Sequence, residues 1–215
     1  MSKTFKERPI LFSGAMVRAI LNGTKTQTRR IMKPQPELYH QNKPDQNKLV
    51  QWSWSSKDPR TPVYWCEDAE HNSKWWDFWD SGYSPYGNPV DRLWVRETWA
   101  ISGWYKNPAG GDPLPRYEYR AFPADGTDFR CVSSWKPSIH MPRVASRLTL
   151  EIVSVRVERL QDISAEDAIA EGMPLDDAVY DYSRLWEKIN GAGSWEQNPW
   201  VWVVEFKKLE TPDVH

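Results

Sequence analysis

The sequence predicts a mainly β, α+β fold: a small, strongly bent β-barrel with short helices flanking or plugging it. Two patterns carry this expectation. Short alternating or β-branched runs recur along the chain, and the helical patterns between them are brief. The 215 residues form one domain, 1–215, with an irregular Trp-rich insertion at about residues 33–90.

Ile10-Leu11-Phe12 predicts a first strand, and Met16-Val17 with Ile20-Leu21 a short helix. Asn22-Gly23 stops that helix, because Gly readily takes the left-handed conformation that closes one. Lys33-Pro34-Gln35-Pro36 opens the insertion, rich in Pro, Asn, Gln and Asp and without a sustained period. Its Trp52, Trp54, Trp65, Trp75, Trp76 and Trp79 argue against full disorder, since disordered segments are poor in aromatics.

Regular structure returns from Asp91 to Trp99, with Leu93, Val95 and Trp99 expected on one face and Trp94, Arg96 and Thr98 on the other. After a Gly/Pro-rich loop, Tyr117 to Phe122 alternates. Ser146 to Leu160 is the clearest strand, long enough to require a bend or bulge. Ser164-Ala165-Glu166-Asp167 matches a helix N-cap with acids in the first turn. That helix runs to Glu171 and stops at Gly172. Another spans roughly Tyr180 to Ile189, and the last strand Trp200 to Phe206.

Composition narrows the function classes. A net charge of -1 supplies no global field for nucleic-acid binding, although a local basic patch stays open. Cys66 and Cys131 are isolated, and with four dispersed His they do not group into a zinc site. There is no signal-peptide pattern or long apolar run, so a cytoplasmic protein without a membrane partner is expected. No GxGxxG, P-loop or GxSxG motif is present, and neither a cofactor nor a metal is expected. The 14 Trp serve cores and flat stacking surfaces alike.

The densest chemistry is Gly23-Thr24-Lys25-Thr26-Gln27-Thr28-Arg29-Arg30. Extended, this run puts alternate residues on one face and can bring an ammonium, a hydroxyl and a guanidinium to one pocket mouth. A solvated basic turn is the plain alternative. The spacing Gly23-x-Lys25-x-x-Thr28-x-Arg30 resembles the signature of the ASCH domain, a PUA-like β-barrel family with the common pattern G-x-K-x-x-E-x-R. Thr28 departs from that Glu, as it does in the bacterial N(4)-acetylcytidine amidohydrolases of the superfamily, which Lys25, Thr26, Thr28 and Arg30 also match. The segment Ala168 to Met173 is similar to their later helix, with Glu171 in the place of the catalytic Glu. Trp202 to Lys207 resembles the closing strand. Lys25 to Arg30, Trp135 to Arg143 and Arg159 to Ile163 also resemble ASCH proteins of tailed phages and prophages, which implies a bacterial host cytoplasm. The likeness leaves most of residues 33–89 and much of 102–138 uncovered.

This resemblance implies removal of an acyl group from the exocyclic amine of an N(4)-acylated cytosine nucleoside, a small-molecule substrate. Lys25, Thr28 and Glu171 are then the catalytic candidates, and Thr26, Arg29, Arg30, Arg96 and Glu97 the substrate-binding ones. Thr28 acts as nucleophile with a neutral Lys25 as base, or Glu171 activates water and Thr28 positions substrate; sequence leaves both open. Singly, each has an ordinary role: Thr28 a β-former, Lys25 a helix-end cation, Glu171 a solvated helix residue. Arg30 is also a candidate structural partner for Glu97, Arg96-Glu97 an ordinary strand-surface pair, and His140 a loop histidine. The other function class is RNA or single-stranded nucleic-acid binding, or metal-independent ribonuclease chemistry with Lys25 and Arg30 on phosphate and Glu171 as base. Trp52, Trp54, Trp75, Trp76 and Trp79 with Lys57, Arg60 and Lys74 would be its stacking surface, although interleaved acids weaken it. A lid or wall for the base pocket is the preferred use of the insertion.

Overall fold

The computed structural model describes residues 5–33, 35, 52–54, 62–67, 73–77, 84–121, 132 and 134–209, with backbone alone for 52–54, 62–67 and 73–77. Among them strand exceeds helix. The strands are β1 (Glu7–Leu11), β2 (Gln27–Ile31), β3 (Trp52–Trp54), β4 (Pro62–Glu67), β5 (Ser73–Asp77), β6 (Arg92–Arg96), β7 (Trp99–Tyr105), β8 (Leu114–Tyr119), β9 (Thr149–Arg159) and β10 (Trp200–Leu209). The helices are α1 (Gly14–Leu21), α2 (Ala165–Ala170) and α3 (Ala178–Asn190). Among the described residues no helix is long and apolar enough to cross a membrane.

The main sheet has the order β1-β6-β9-β10-β2, with β1 parallel to β6 and the other pairs antiparallel. Its backbone ladder ends at β1 and at β2, so the sheet is not closed into a barrel by main-chain bonds. It is nevertheless strongly curled. Four strand spacings would separate the edges of a flat sheet by about 19 Å, yet Arg30 Nη2 on β2 donates to Leu11 O on β1 at 2.6 Å. Phe12 and Phe206 also meet inside the curl, with ring centroids 6.0 Å apart.

The strand sequences explain which faces are covered. On β10, Trp200, Trp202, Val204 and Phe206 enter one core with Val17 and Ile20 of α1, while Val201 and Val203 enter a second. That second core belongs to α2 and α3 and includes Ala168, Ala178, Tyr182 and Trp186. β10 is therefore buried on both faces, which accounts for its nearly unbroken apolar run. Tyr119 of the separate β7–β8 hairpin donates its hydroxyl to Ala145 O at 2.8 Å, over a third small core of Trp99, Met141 and Ala145.

The expected irregularity in the long strand is a bulge at Val153. Ser154 pairs with Glu205 but Ile152 with Phe206, so Val153 has no partner on β10. The extra residue reverses side-chain parity, keeping Leu150 and Ile152 on the same core face as Val155 and Val157. Two other expectations need correction. Trp99 does not continue the face of Leu93 and Val95; the chain turns at Glu97-Thr98 and Trp99 begins β7 in another core. The insertion is not uniformly irregular either, because β3, β4 and β5 form a three-stranded antiparallel sheet within it. Each of those runs is aromatic, short and bounded by turn-forming residues, a hairpin pattern that a search over long windows averages away.

The bulge makes a count more important than an identity. Val153 is 51% exposed, so Val153→Thr is expected to change stability by no more than about 0.5 kcal/mol. Deletion of Val153 would turn one half of β9 inside out and should abolish a cooperative urea transition. An unchanged transition in the deletion would refute this account of the register.

Candidate functional site

Two helix ends build the site. After α1, Gly23 (φ +76°) donates its N–H to Ile20 O at 3.1 Å, and Thr24 donates to Ala19 O at 2.9 Å. After α2, Gly172 (φ +93°) donates to Ile169 O at 2.8 Å and Met173 to Ala168 O at 3.2 Å. Both are Schellman turns, each closed by a glycine in the left-handed region. They abut: a Cβ on Gly172 would lie 3.2 Å from Ala19 Cβ and 3.4 Å from Lys25 Cβ. The chain leaving the first turn lies across the second, with Thr26 N–H on Ala170 O at 2.8 Å and Lys25 bridged to Glu171. Residues far apart in sequence are thereby fixed side by side.

Lys25 and Glu171 form a buried ion pair. Lys25 Nζ donates to Glu171 Oε2 at 2.7 Å and to Glu171 O at 2.9 Å, with neither side chain more than 3% exposed. Burial holds the Lys25 ammonium below its ordinary pKa of 10.5, against the charge and hydrogen bond of Glu171; Arg30 and Arg29 push the same way as burial. Lys25 also stands over the Phe12 ring at 5.8 Å from its centroid. Glu171 Oε1 has no hydrogen-bond partner among the described residues, and Arg29 Nη1 lies 3.6 Å away.

Arg29 ties this pair to a larger charge network. Its Nη2 donates to Asp167 Oδ2 at 2.7 Å and to Glu158 Oε2 at 3.0 Å. Arg156 joins from β9, bonded to Glu158 and Glu205, to Asp167 Oδ1 at 3.2 Å and to Gln27 Oε1 at 3.2 Å. Burial raises the Asp167 carboxyl, but the hydrogen bond and charge of Arg29, with Arg156 and Gln27, outweigh it and hold Asp167 below its ordinary 3.8. Arg29 is therefore committed to carboxylates of the fold.

A cavity of about 300 Å³ lies in front of the pair. Thr28, Arg29, Arg30, Lys33, Glu171 and Asn190 form its polar part, while Met16, Ile31, Leu185 and Ile189 are apolar wall. Lys25 lies behind Glu171 and is not part of the wall. Three aromatic residues complete the lining: Tyr86, Tyr182 and Trp186. Burial pushes the Tyr182 hydroxyl well above its ordinary 10, with Glu171 adding to the effect. Sequence inspection missed all three. Tyr182 and Trp186 carried a signal, an aromatic pair at i, i+4 whose ring centroids lie 6.2 Å apart on α3. Tyr86 carried none beyond its place in a Ser-Pro-Tyr-Gly turn.

The remaining candidates lie elsewhere. Thr26 is exposed and lines a different cavity of about 350 Å³, with Gln27, Glu166, Asp167 and Glu205. Arg30 is not paired with Glu97; its guanidinium caps Leu11 O and the Phe12 ring. Glu97 instead takes a bidentate bond from Arg147, at 2.9 and 3.0 Å, inside the fold. Arg96 donates to Met141 O at 3.1 Å and to Ile139 O, holding the segment beneath the β7–β8 hairpin. Neither Arg96 nor Glu97 lines the cavity: Arg96 is held on the 139–141 segment and Glu97 on Arg147. His140 sits exposed in a single helical turn, Ser138–His140. Trp79, Lys57 and Arg60 lie outside the described residues, as do the side chains of Trp52, Trp54, Lys74, Trp75 and Trp76. Among the described residues no three His, Cys, Asp or Glu side chains group to hold a metal ion.

The abutting turns generate a graded expectation. Gly23→Ala meets nothing within 4 Å and should cost only the backbone term, about 1–2 kcal/mol. Gly172→Ala adds the contacts with Ala19 and Lys25 and should cost visibly more in a urea titration. Equal losses would mean that the two turns are not packed against each other.

Comparison with protein-family models, curated proteins and solved structures finds no match to this chain.

Proposed function

We propose that this protein is an amidohydrolase that removes the acyl group from the exocyclic amine of N(4)-acylated cytosine nucleosides, on a PUA-like bent barrel. The observation that carries the reading is the division of Glu171. Lys25 grips one carboxylate oxygen, while the other is buried without a hydrogen-bond donor among the described residues, 3.6 Å from Arg29 Nη1, and Glu171 shares a cavity wall with Thr28. A fixed carboxylate with free lone pairs is suited to take a proton from water. The aromatic walls suit a planar base. The barrel reading draws support from the Arg30 bond between the two sheet edges.

The chemistry favours activated water over a Thr28 nucleophile, because both donor contacts of Lys25 go to Glu171. Glu171 Oε1 takes a proton as the water oxygen attacks the acyl carbon. Arg30, whose Nε has no acceptor among the described residues, and the Thr28 hydroxyl steady the developing oxyanion. Glu171 then returns the proton to the exocyclic nitrogen, the C–N bond breaks, and the carboxylic acid and cytosine nucleoside leave. Phosphate ligation is less well supported, since Lys25 is committed to Glu171 and Arg30 Nη2 to Leu11 O.

The direct test is release of acid from a panel of N-acylated nucleosides, read by chromatography. Glu171→Gln should lower kcat by about 10²–10⁴-fold, and Lys25→Ala should lose a comparable amount by releasing Glu171. Thr28→Ala should lose less, since it removes only an orienting hydroxyl. No turnover of any acylated nucleoside by the folded protein overturns the proposal.

The pH profile separates the two routes. If Lys25 works as the protonated anchor of Glu171, kcat/KM falls as pH rises through its pKa, at a pH below its ordinary 10.5. If neutral Lys25 activates Thr28, the rate rises through the same value. The sign of that limb decides between them.

A further inference from the structure

We infer that Tyr86 is the residue against which the ring of the bound base stacks, and that a strap pinned by Asp91 holds it in place. The inference rests on the cavity being a nucleobase pocket. Tyr86 packs against the core inside the curl, whereas Tyr182 and Trp186 belong to the helix-side core. The cavity thus has aromatic walls supplied from two independent cores, and a planar ligand between them is touched from both.

The strap is residues 84–91, and its construction is specific. The Asp91 carboxylate accepts from Lys6 N–H at 2.8 Å, Asn88 N–H at 3.1 Å and Arg8 Nη1 at 3.3 Å. Gly87 has φ +108°, and a Cβ there would stand 2.5 Å from Arg8 Nη1 and 2.7 Å from Asp91 Oδ2. Only glycine lets the chain pass so close to that pair. Val90, a β-branched residue at φ +76°, is held strained while its N–H bonds Ile152 O at 2.9 Å. Ser84, buried, accepts the Tyr86 N–H at 3.3 Å. Strain fixed by so many contacts orients the one aromatic side chain that the strap sends to the cavity. Burial raises the Tyr86 hydroxyl above its ordinary 10, against the charge of Arg30, which keeps the ring neutral beside the reacting groups.

The test measures binding of cytidine and N(4)-acetylcytidine by quenching of tryptophan fluorescence, beside hydrolysis. Tyr86→Ala should weaken binding and raise KM by about 5- to 150-fold, the range for one base stacked on one aromatic ring. Tyr86→Phe, which keeps the ring, should recover most of that loss. Tyr86→Leu, which keeps bulk without a π-face, should not. Asp91→Asn should raise KM several-fold with kcat within about threefold. Affinity that is unchanged in Tyr86→Ala and Tyr86→Leu overturns the stacking role. A lowered thermal midpoint in Asp91→Asn with unchanged KM overturns the positioning role. Cytidine binding that depends on Tyr86 without hydrolysis would remove the proposed reaction but leave this inference standing. Wild-type protein that neither binds cytidine nor hydrolyses the acetyl compound overturns both.

Discussion

The arrangement hangs on one expense, the burial of Lys25. An ammonium removed from water loses several kcal/mol of solvation, and only a carboxylate at hydrogen-bond distance offsets much of that. Glu171 provides it at 2.7 Å. Breaking such a pair by removing one partner typically costs about 3–5 kcal/mol, whereas replacing both by apolar residues is often neutral. Stability alone therefore gives little reason to keep Lys25 and Glu171. What the pair does supply is a carboxylate held by one bond from an ammonium that is itself anchored on the Glu171 backbone carbonyl, and a fixed direction is what the proposed proton transfer demands.

The rest of the fold serves that juxtaposition. Two Schellman turns must touch, so one glycine must have no side chain, and the strand after α1 must run across the end of α2. The sheet must also curl until Arg30 reaches Leu11, because that places Phe12 under both Lys25 and Arg30. The surrounding charges are balanced by the same elements. The cations Lys25, Arg29 and Arg156 face the carboxylates Glu158, Asp167, Glu171 and Glu205. Without the outer carboxylates, Arg29 and Lys25 would share the single carboxylate of Glu171.

Local features of this structure were legible in the sequence because their causes are local. Gly23 and Gly172 end helices for a backbone reason, Ser164 caps one through its own hydroxyl, and the excess length of β9 announces a bulge. The pairing of Lys25 with Glu171 was not legible from the residues themselves, since nothing in either neighbourhood points to the other. Other long-range partners escaped as well. Glu97 took Arg147 rather than Arg30, because the turn after β6 carries it away from the cavity, and no spacing rule encodes a turn direction. Tyr86 escaped because its place depends on an Asp91 carboxylate gathering donors from Lys6 and Arg8, at the far end of the chain. The strands of the insertion escaped because each is shorter than the window needed to see a period.

The crowded run after Gly23 deserves its density for a reason visible only in three dimensions. Gln27, Thr28 and Arg29 are consecutive, polar and each buried, a costly sequence for a sheet-edge strand. Alternation divides them. Gln27 and Arg29 point to the side of Asp167 and Arg156, where they complete the charge network. Thr28 and Arg30 belong to the other side, where Arg30 meets Leu11 and Phe12. One strand thus carries the charge network on one face and Thr28 and Arg30 on the other, while Arg29 also lines the cavity and its Nη1 stands 3.6 Å from Glu171 Oε1. The five-residue ladder to β10 holds the strand along its whole length, so both faces keep their places. That pairing, with a carboxylate for each buried cation, is what lets a highly charged strand remain part of a small fold.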